Sequence, residues 1–93
     1  MLSLDEAREW MRIDDTDNDR IIQGLLDAVP GYIRLTTGMS ETQQEYEPLV
    51  DTVTKFLLLL WYDVQSNEAA RLQRVIDNML KTITVKAREM RPD

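Results

Sequence analysis

Asp15, Asp17 and Asp19 stand at alternate positions in an acidic run, the spacing with which a calcium-binding helix–loop–helix loop begins. Carboxylates so placed could gather oxygen ligands around a divalent cation. The rest of the loop does not follow. Arg20 stands where a glycine must make the sharp turn, and Leu26 where a bidentate glutamate would close the coordination sphere. The acids fit better as caps and dipole partners for a helix that starts beside them. No calcium affinity tighter than millimolar is expected. Nucleophilic chemistry fares no better. Ser3, Ser40 and Ser66 are the only serines, each at a cap or loop position, and the chain has no histidine to activate them. Cysteine is absent, so thiolate ligands and disulfides are excluded. Gly24, Gly31 and Gly38 are too widely spaced to cradle a phosphate. The carboxylates sit in polar surroundings, not in the apolar pockets that would tune them for acid–base work. Trp10, Trp61 and Tyr62 could stack on bases, but Trp61 lies inside an apolar run and reads as core. An enzyme is not expected, and neither are cofactors or a metal.

That leaves assembly as the chemistry to consider, and charge is its first instrument. The net charge is −6 and is unevenly placed. Residues 1–47 hold eleven acids and four bases, whereas residues 48–93 hold six acids and seven bases. Such a balance argues against a tight, sequence-specific grip on DNA, which needs a basic footprint. The first residues lack the basic segment and long apolar core of a signal peptide, which fits a cytoplasmic protein.

Four helices must position these groups, and no segment reads convincingly as a strand. Ser3 and Glu6 form a capping box ahead of Leu4, Ala7, Trp10 and Met11, a short helix ending near Arg12 or Ile13. Thr16 or Asp17 caps the second, whose stripe is Ile21, Ile22, Leu25, Leu26, Val29 and Ile33. Pro30 inside that stripe predicts a kink or a split, and Gly38 marks the stop. Residues 39–47 read as a polar connection. Pro48 suits the first turn of the third helix, which widens into seven bulky apolar residues, Phe56 to Tyr62. Seven successive positions point all round a helix axis, yet fall far short of the ~20 residues that cross a bilayer. A central helix covered on every side is the expected solution, with neighbouring subunits covering what one small domain leaves bare. Ser66 or Asn67 caps the fourth helix, with Leu72, Val75, Ile76, Met79, Leu80 and Ile83 on one face and Arg71, Arg74 and Lys81 on the other. From Thr84 the chain is basic and loses periodicity, and the β-branched run at residues 82–85 would also suit an extended arm. The expected fold is all-α: a small four-helix bundle over residues 1–83 and a basic C-terminal arm over 84–93.

The segment Leu4-Asp5-Glu6-Ala7-Arg8-Glu9-Trp10-Met11-Arg12-Ile13-Asp14 resembles the opening of the phage head–tail connector, or adaptor, family, often labelled DNA-packaging proteins in prophages. There a short "LEEAKxxLRID" helix leads into an Asp-rich loop and a longer helix ending in Thr-Gly, as in Thr37-Gly38. An apolar helix follows, similar to Leu49 through Glu68 with its Tyr62-to-Glu68 ending. The similarity spans residues 2 to about 68. Pro30-Gly31 departs from the family's uninterrupted second helix, and the stretch after Lys81 follows no family pattern.

The resemblance implies a structural protein of the virion neck, present in the host cytoplasm before assembly. It would form a ring, usually twelve-fold, beneath the portal and dock the next head-completion protein, while DNA slides through without specific binding. A channel that DNA must traverse should avoid strong phosphate contacts, since each one neutralised adds affinity. For the ring contact, the acids Asp14, Asp15, Asp17 and Asp19 and the bases Lys86, Arg88 and Arg91 are the candidates, paired head to tail. The competing reading is a small helical DNA-binding protein, a phage regulator or packaging subunit, with the fourth helix in the major groove. A plain helical interaction module is a third.

Overall fold

Ser3 sets the first helix as its sequence requires. Its Oγ accepts the Glu6 N–H at 3.1 Å, and Glu6 Oε1 accepts the Ser3 N–H at 3.2 Å. The computed structural model describes residues 2–62 and 68–90. Its elements are α1 (Leu4–Trp10), α2 (Asp19–Thr37), α3 (Glu41–Gln44), α4 (Pro48–Tyr62) and α5 (Ala69–Met90), with no strand among the described residues. The four expected helices are α1, α2, α4 and α5. The short α3 is an addition within the supposed polar connection, nucleated by a second capping box between Ser40 and Gln43. The caps proposed at Ser66 or Asn67 lie outside the described residues.

After α1 the chain turns through Arg12, whose φ of 58° is in the left-handed region. The Arg12 N–H donates to the Glu9 carbonyl at 3.2 Å and the Ile13 N–H to the Arg8 carbonyl at 2.9 Å, a Schellman ending. Glycine normally takes that position. Arg12→Gly is therefore expected to leave the fold unchanged and stabilise it by up to about 1 kcal/mol, the relieved Cβ strain outweighing the added unfolded-state entropy. A rise in melting temperature checks this. The Glu6 carboxyl is held below its ordinary value of 4.5, first by the Ser3 backbone N–H and then by its hydroxyl. A carboxyl so lowered binds fewer protons folded than unfolded, so its contribution is present above pH 4.5 and lost as pH falls through the lower folded value. Protection of the Ser3 and Glu6 amides, measured against an unstructured chain at the same pH, should fall over that acid window before the rest of the bundle opens.

The cap of α2 is Asn18, not Thr16 or Asp17. Its side chain makes no cap bond, and its Nδ2 donates to Tyr62 Oη at 2.7 Å, tying the loop to the end of α4. Of the kink or split expected at Pro30, the split does not occur, and α2 runs through it to Gly38, which ends the helix at φ 82°. An interior proline costs about 3 kcal/mol in the ladder. Burial of Leu26, Val29 and Ile33 on the same helix holds it together. α3 is pinned across this point by buried Gln44, whose Nε2 donates to the Pro30 carbonyl at 3.0 Å and the Met39 carbonyl at 3.1 Å.

α4 lies between two cores. Leu57 joins Val29, Ile33, Val53, Ile76 and Ile83 where α2, α4 and α5 meet. Leu58, one position on, joins Leu2, Ala7, Ile22 and Leu26 on the α1 side. The other aromatic positions are covered too: Trp10 meets Phe56 edge-on at 6.0 Å, and Tyr32 meets Trp61 at 5.2 Å. Trp10 Nε1 also donates to the Lys55 carbonyl at 3.1 Å. None of the seven apolar residues is fully exposed. Leu57 and Leu58 of the all-round apolar run are buried within the subunit, and the other five keep part of their surface open.

α5 continues to Met90, so the extended conformation considered for residues 82–85 does not form. Ala87 is buried in the larger core, and the last turns belong to the helix that packs on α2 and α4. β-branching at Thr82, Ile83, Thr84 and Val85 is overridden because Ile83 and Ala87 continue the buried stripe of Ile76 and Leu80.

Candidate functional site

The acidic loop is held at its edges and open at its centre. Asp14, Asp15 and Asp17 are exposed, with Asp15 Oδ1 accepting the Asp17 N–H at 3.2 Å. Asp19 is not free. Its Oδ1 lies 3.4 Å from Arg8 Nε, both atoms shielded from solvent, an ion pair that falls short of a hydrogen bond. Arg8 also donates to Asp5, which raises its already high pKa. No three acids converge as a metal cage among the described residues.

The basic end divides similarly. Lys86 Nζ reaches both carboxylate oxygens of Glu47 at 3.2 Å, and the Glu47 side chain is only 10% exposed. Lys86 is therefore spent on fastening α5 to the α3–α4 junction. Arg88 is exposed and Arg91 lies outside the described residues. Within one subunit the tail meets Glu47, a residue that reading the sequence left in a featureless connection. Its charge at the foot of the Pro48 helix was the available signal.

Two further surfaces emerge from the fold. Along α5, Arg71, Arg74, Lys81 and Arg88 are all exposed at helical spacing, a basic stripe facing away from the core. Opposite in sign, Glu41, Glu45 and Asp51 are exposed around α3 and the start of α4. Large apolar side chains also reach solvent, Leu35 at 79% and Tyr46 at 75% among them, and Ile21 and Leu35 share the outer face of α2. Scattered exposed apolar residues are ordinary. The segregation of charge is partial, since exposed Asp77 and Glu89 interrupt the bases of α5 and exposed Arg12 and Arg20 flank the acidic loop. No described helix is long and apolar enough to cross a membrane.

The profile of the phage gp6-like head–tail connector protein family matches residues 1–91. No curated protein and no solved structure matches the chain. The matched span takes in all five helices, including α5, to which the resemblance over residues 2 to about 68 did not extend. That family is structural, not enzymatic, and its members join phage head to phage tail. This chain belongs to the phage gp6-like head–tail connector family.

Proposed function

We propose that the chain forms a closed ring, twelve-fold on the virion, beneath the portal of a tailed phage, and presents a docking surface to the head-completion or tail-side protein. The observation that carries this is the family match across residues 1–91. Physical means for it come from an uneven spread of charge, mostly acidic on the loop and around α3 and mostly basic along α5. In a ring every copy offers both signs, so a head-to-tail contact neutralises each with the other. Exposed Asp14, Asp15 and Asp17 are the acids of the loop available to a neighbour. The C-terminal stretch 84–93, whose residues up to Met90 continue α5, serves as the docking segment, with Arg88 its exposed base among the described residues. DNA passes through the ring without specific binding, and the subunits wait in the host cytoplasm before joining the neck.

Native mass spectrometry and negative-stain imaging of the protein, alone and mixed with purified portal, test this. A closed ring in either condition is the expected result, and a monomer in both would overturn it. The α5 stripe favours one second reading, the small DNA-binding protein, with Arg71, Arg74 and Lys81 on phosphates. Heparin chromatography at low salt separates the two. The connector should flow through, and firm retention would favour the DNA-binding reading.

A further inference from the structure

At the α3 end of the bundle a cleft of about 130 Å³ opens between α2, α3 and α4. Leu26, Val29, Pro30 and Val50 make its apolar wall, Glu41 and Glu45 stand at its rim, and no base among the described residues lines it. An apolar cavity of ~150 Å³ accepts a benzene-sized group, so this one has room for a single leucine-sized side chain. The exposed Glu41 and Glu45 favour a cation beside that side chain. Gln44 fastens α3 to the Pro30 and Met39 carbonyls, so the cleft is formed before any partner arrives.

The other side of α2 carries the matching pair. Leu35, at 79%, is the most exposed large apolar side chain among the described residues. Nine positions separate it from Leu26, about two and a half helical turns, so it stands on the side of α2 opposite the cleft wall. Arg34 beside it is exposed and has no ion pair among the described residues. The chain from Pro30 to Met39 holds no acid, so nothing next to this pair would repel the rim. Gly31 lies three positions from Arg34 and four from Leu35, on the face between them. A Cβ at Gly31 would meet nothing within 4 Å in its own subunit, and the bare backbone lets another surface come close. α2 thus offers a protruding leucine and a cation on one side and an acid-rimmed socket on the other. A contact between two different patches on identical copies is heterologous, and it makes a ring when the rotation closes. We propose that Leu35 of one copy seats in the cleft of the next, with its Arg34 against Glu41 and Glu45. This rests on the ring reading and names its subunit contact.

Both halves of this contact can be altered without touching the core. Leu35→Ser removes the protruding side chain, and Gly31→Gln fills the gap beside it. Each should weaken assembly by about tenfold or more, read by native mass spectrometry over a concentration series under conditions where the wild type assembles. Gly31→Gln is the sharper probe, because glutamine suits a helix better than glycine and the variant should melt at or above the wild type. Arg34→Glu should weaken assembly to a similar degree, and adding Glu45→Arg in the same chain should restore it. Mixing Leu35→Ser, which keeps its cleft, with a Glu41→Lys and Glu45→Lys double variant, which keeps its leucine, should give mixed dimers where neither self-associates. Thermal melts of every variant confirm folding. Wild-type rings together with unchanged assembly of folded Leu35→Ser and Gly31→Gln would overturn the contact while leaving the ring intact. No recovery in the charge swap would overturn the Arg34 pairing. A Leu35→Ser variant that still forms rings but no longer joins the portal would overturn the contact and reassign Leu35 to the portal. A wild type that stays monomeric with and without portal removes the ring reading itself, and the contact with it.

Discussion

Leu58→Ala is expected to cost about 2–5 kcal/mol, as truncations at fully buried leucines do. Leu58 is 0% exposed and packs with Leu2, Ala7, Ile22 and Leu26, so shortening it leaves a void where α1 meets α2 and α4. A domain of this size has only about 5–15 kcal/mol in total, and such a loss takes a large share of it. Urea unfolding should show a lower midpoint with an unchanged slope. Leu57→Ala should cost a similar amount through the other core. The two differ in where they act: Leu58→Ala should expose α1 amides to exchange first, whereas Leu57→Ala loosens α2, α4 and α5 together. Leu60→Ala, at a half-buried site, should cost less than either. Equal effects at Leu60 and Leu58 would contradict the burial that separates them.

Lys86→Glu should destabilise the fold by about 1–3 kcal/mol, and not merely alter a surface charge. The reason is Glu47, whose carboxylate is 10% exposed and whose ion pair with Lys86 the substitution would replace by a repulsion. The Lys86 side chain is itself 44% exposed, so the pair is partly screened and the cost stays below that of a fully buried one. Arg88→Glu at an exposed site should leave the melting temperature within about a degree or two, because exposed charges contribute little to stability. Thermal melts of both variants check this, and equal stability for the two would show the Lys86–Glu47 pair to be inconsequential. Reversing Lys86, Arg88 and Arg91 together would therefore mix a folding defect with any assembly defect. Arg88 is the position at which assembly can be probed alone.

Much of this protein is governed by short-range rules and is legible along the chain. Ser3 and Glu6 cap α1 three residues apart, Gly38 ends α2 because the left-handed turn there suits it, and apolar stripes of helical period place Ile22, Leu57, Ile76 and Ile83 in the core. Absence of histidine and cysteine, and the order of the helices, likewise needed no coordinates. A second capping box went unread at Ser40–Gln43, although its S-x-x-Q spacing is as local as the first. What the tertiary structure alone decided involves residues distant in sequence. Leu57 and Leu58 are neighbours that serve different cores, which depends on α1 and α5 packing against different faces of α4. α2 continues through Pro30 with Leu26, Val29 and Ile33 buried against the rest of the bundle and with Gln44, fourteen positions on, donating to the Pro30 carbonyl. Lys86 reads as a free tail charge until the fold carries Glu47 to it across 39 positions. The acid-rimmed cleft exists only where α2, α3 and α4 converge. Local propensity reports what each segment prefers by itself. Which charges remain free, and which faces remain bare, is set by the long-range contacts that packing creates.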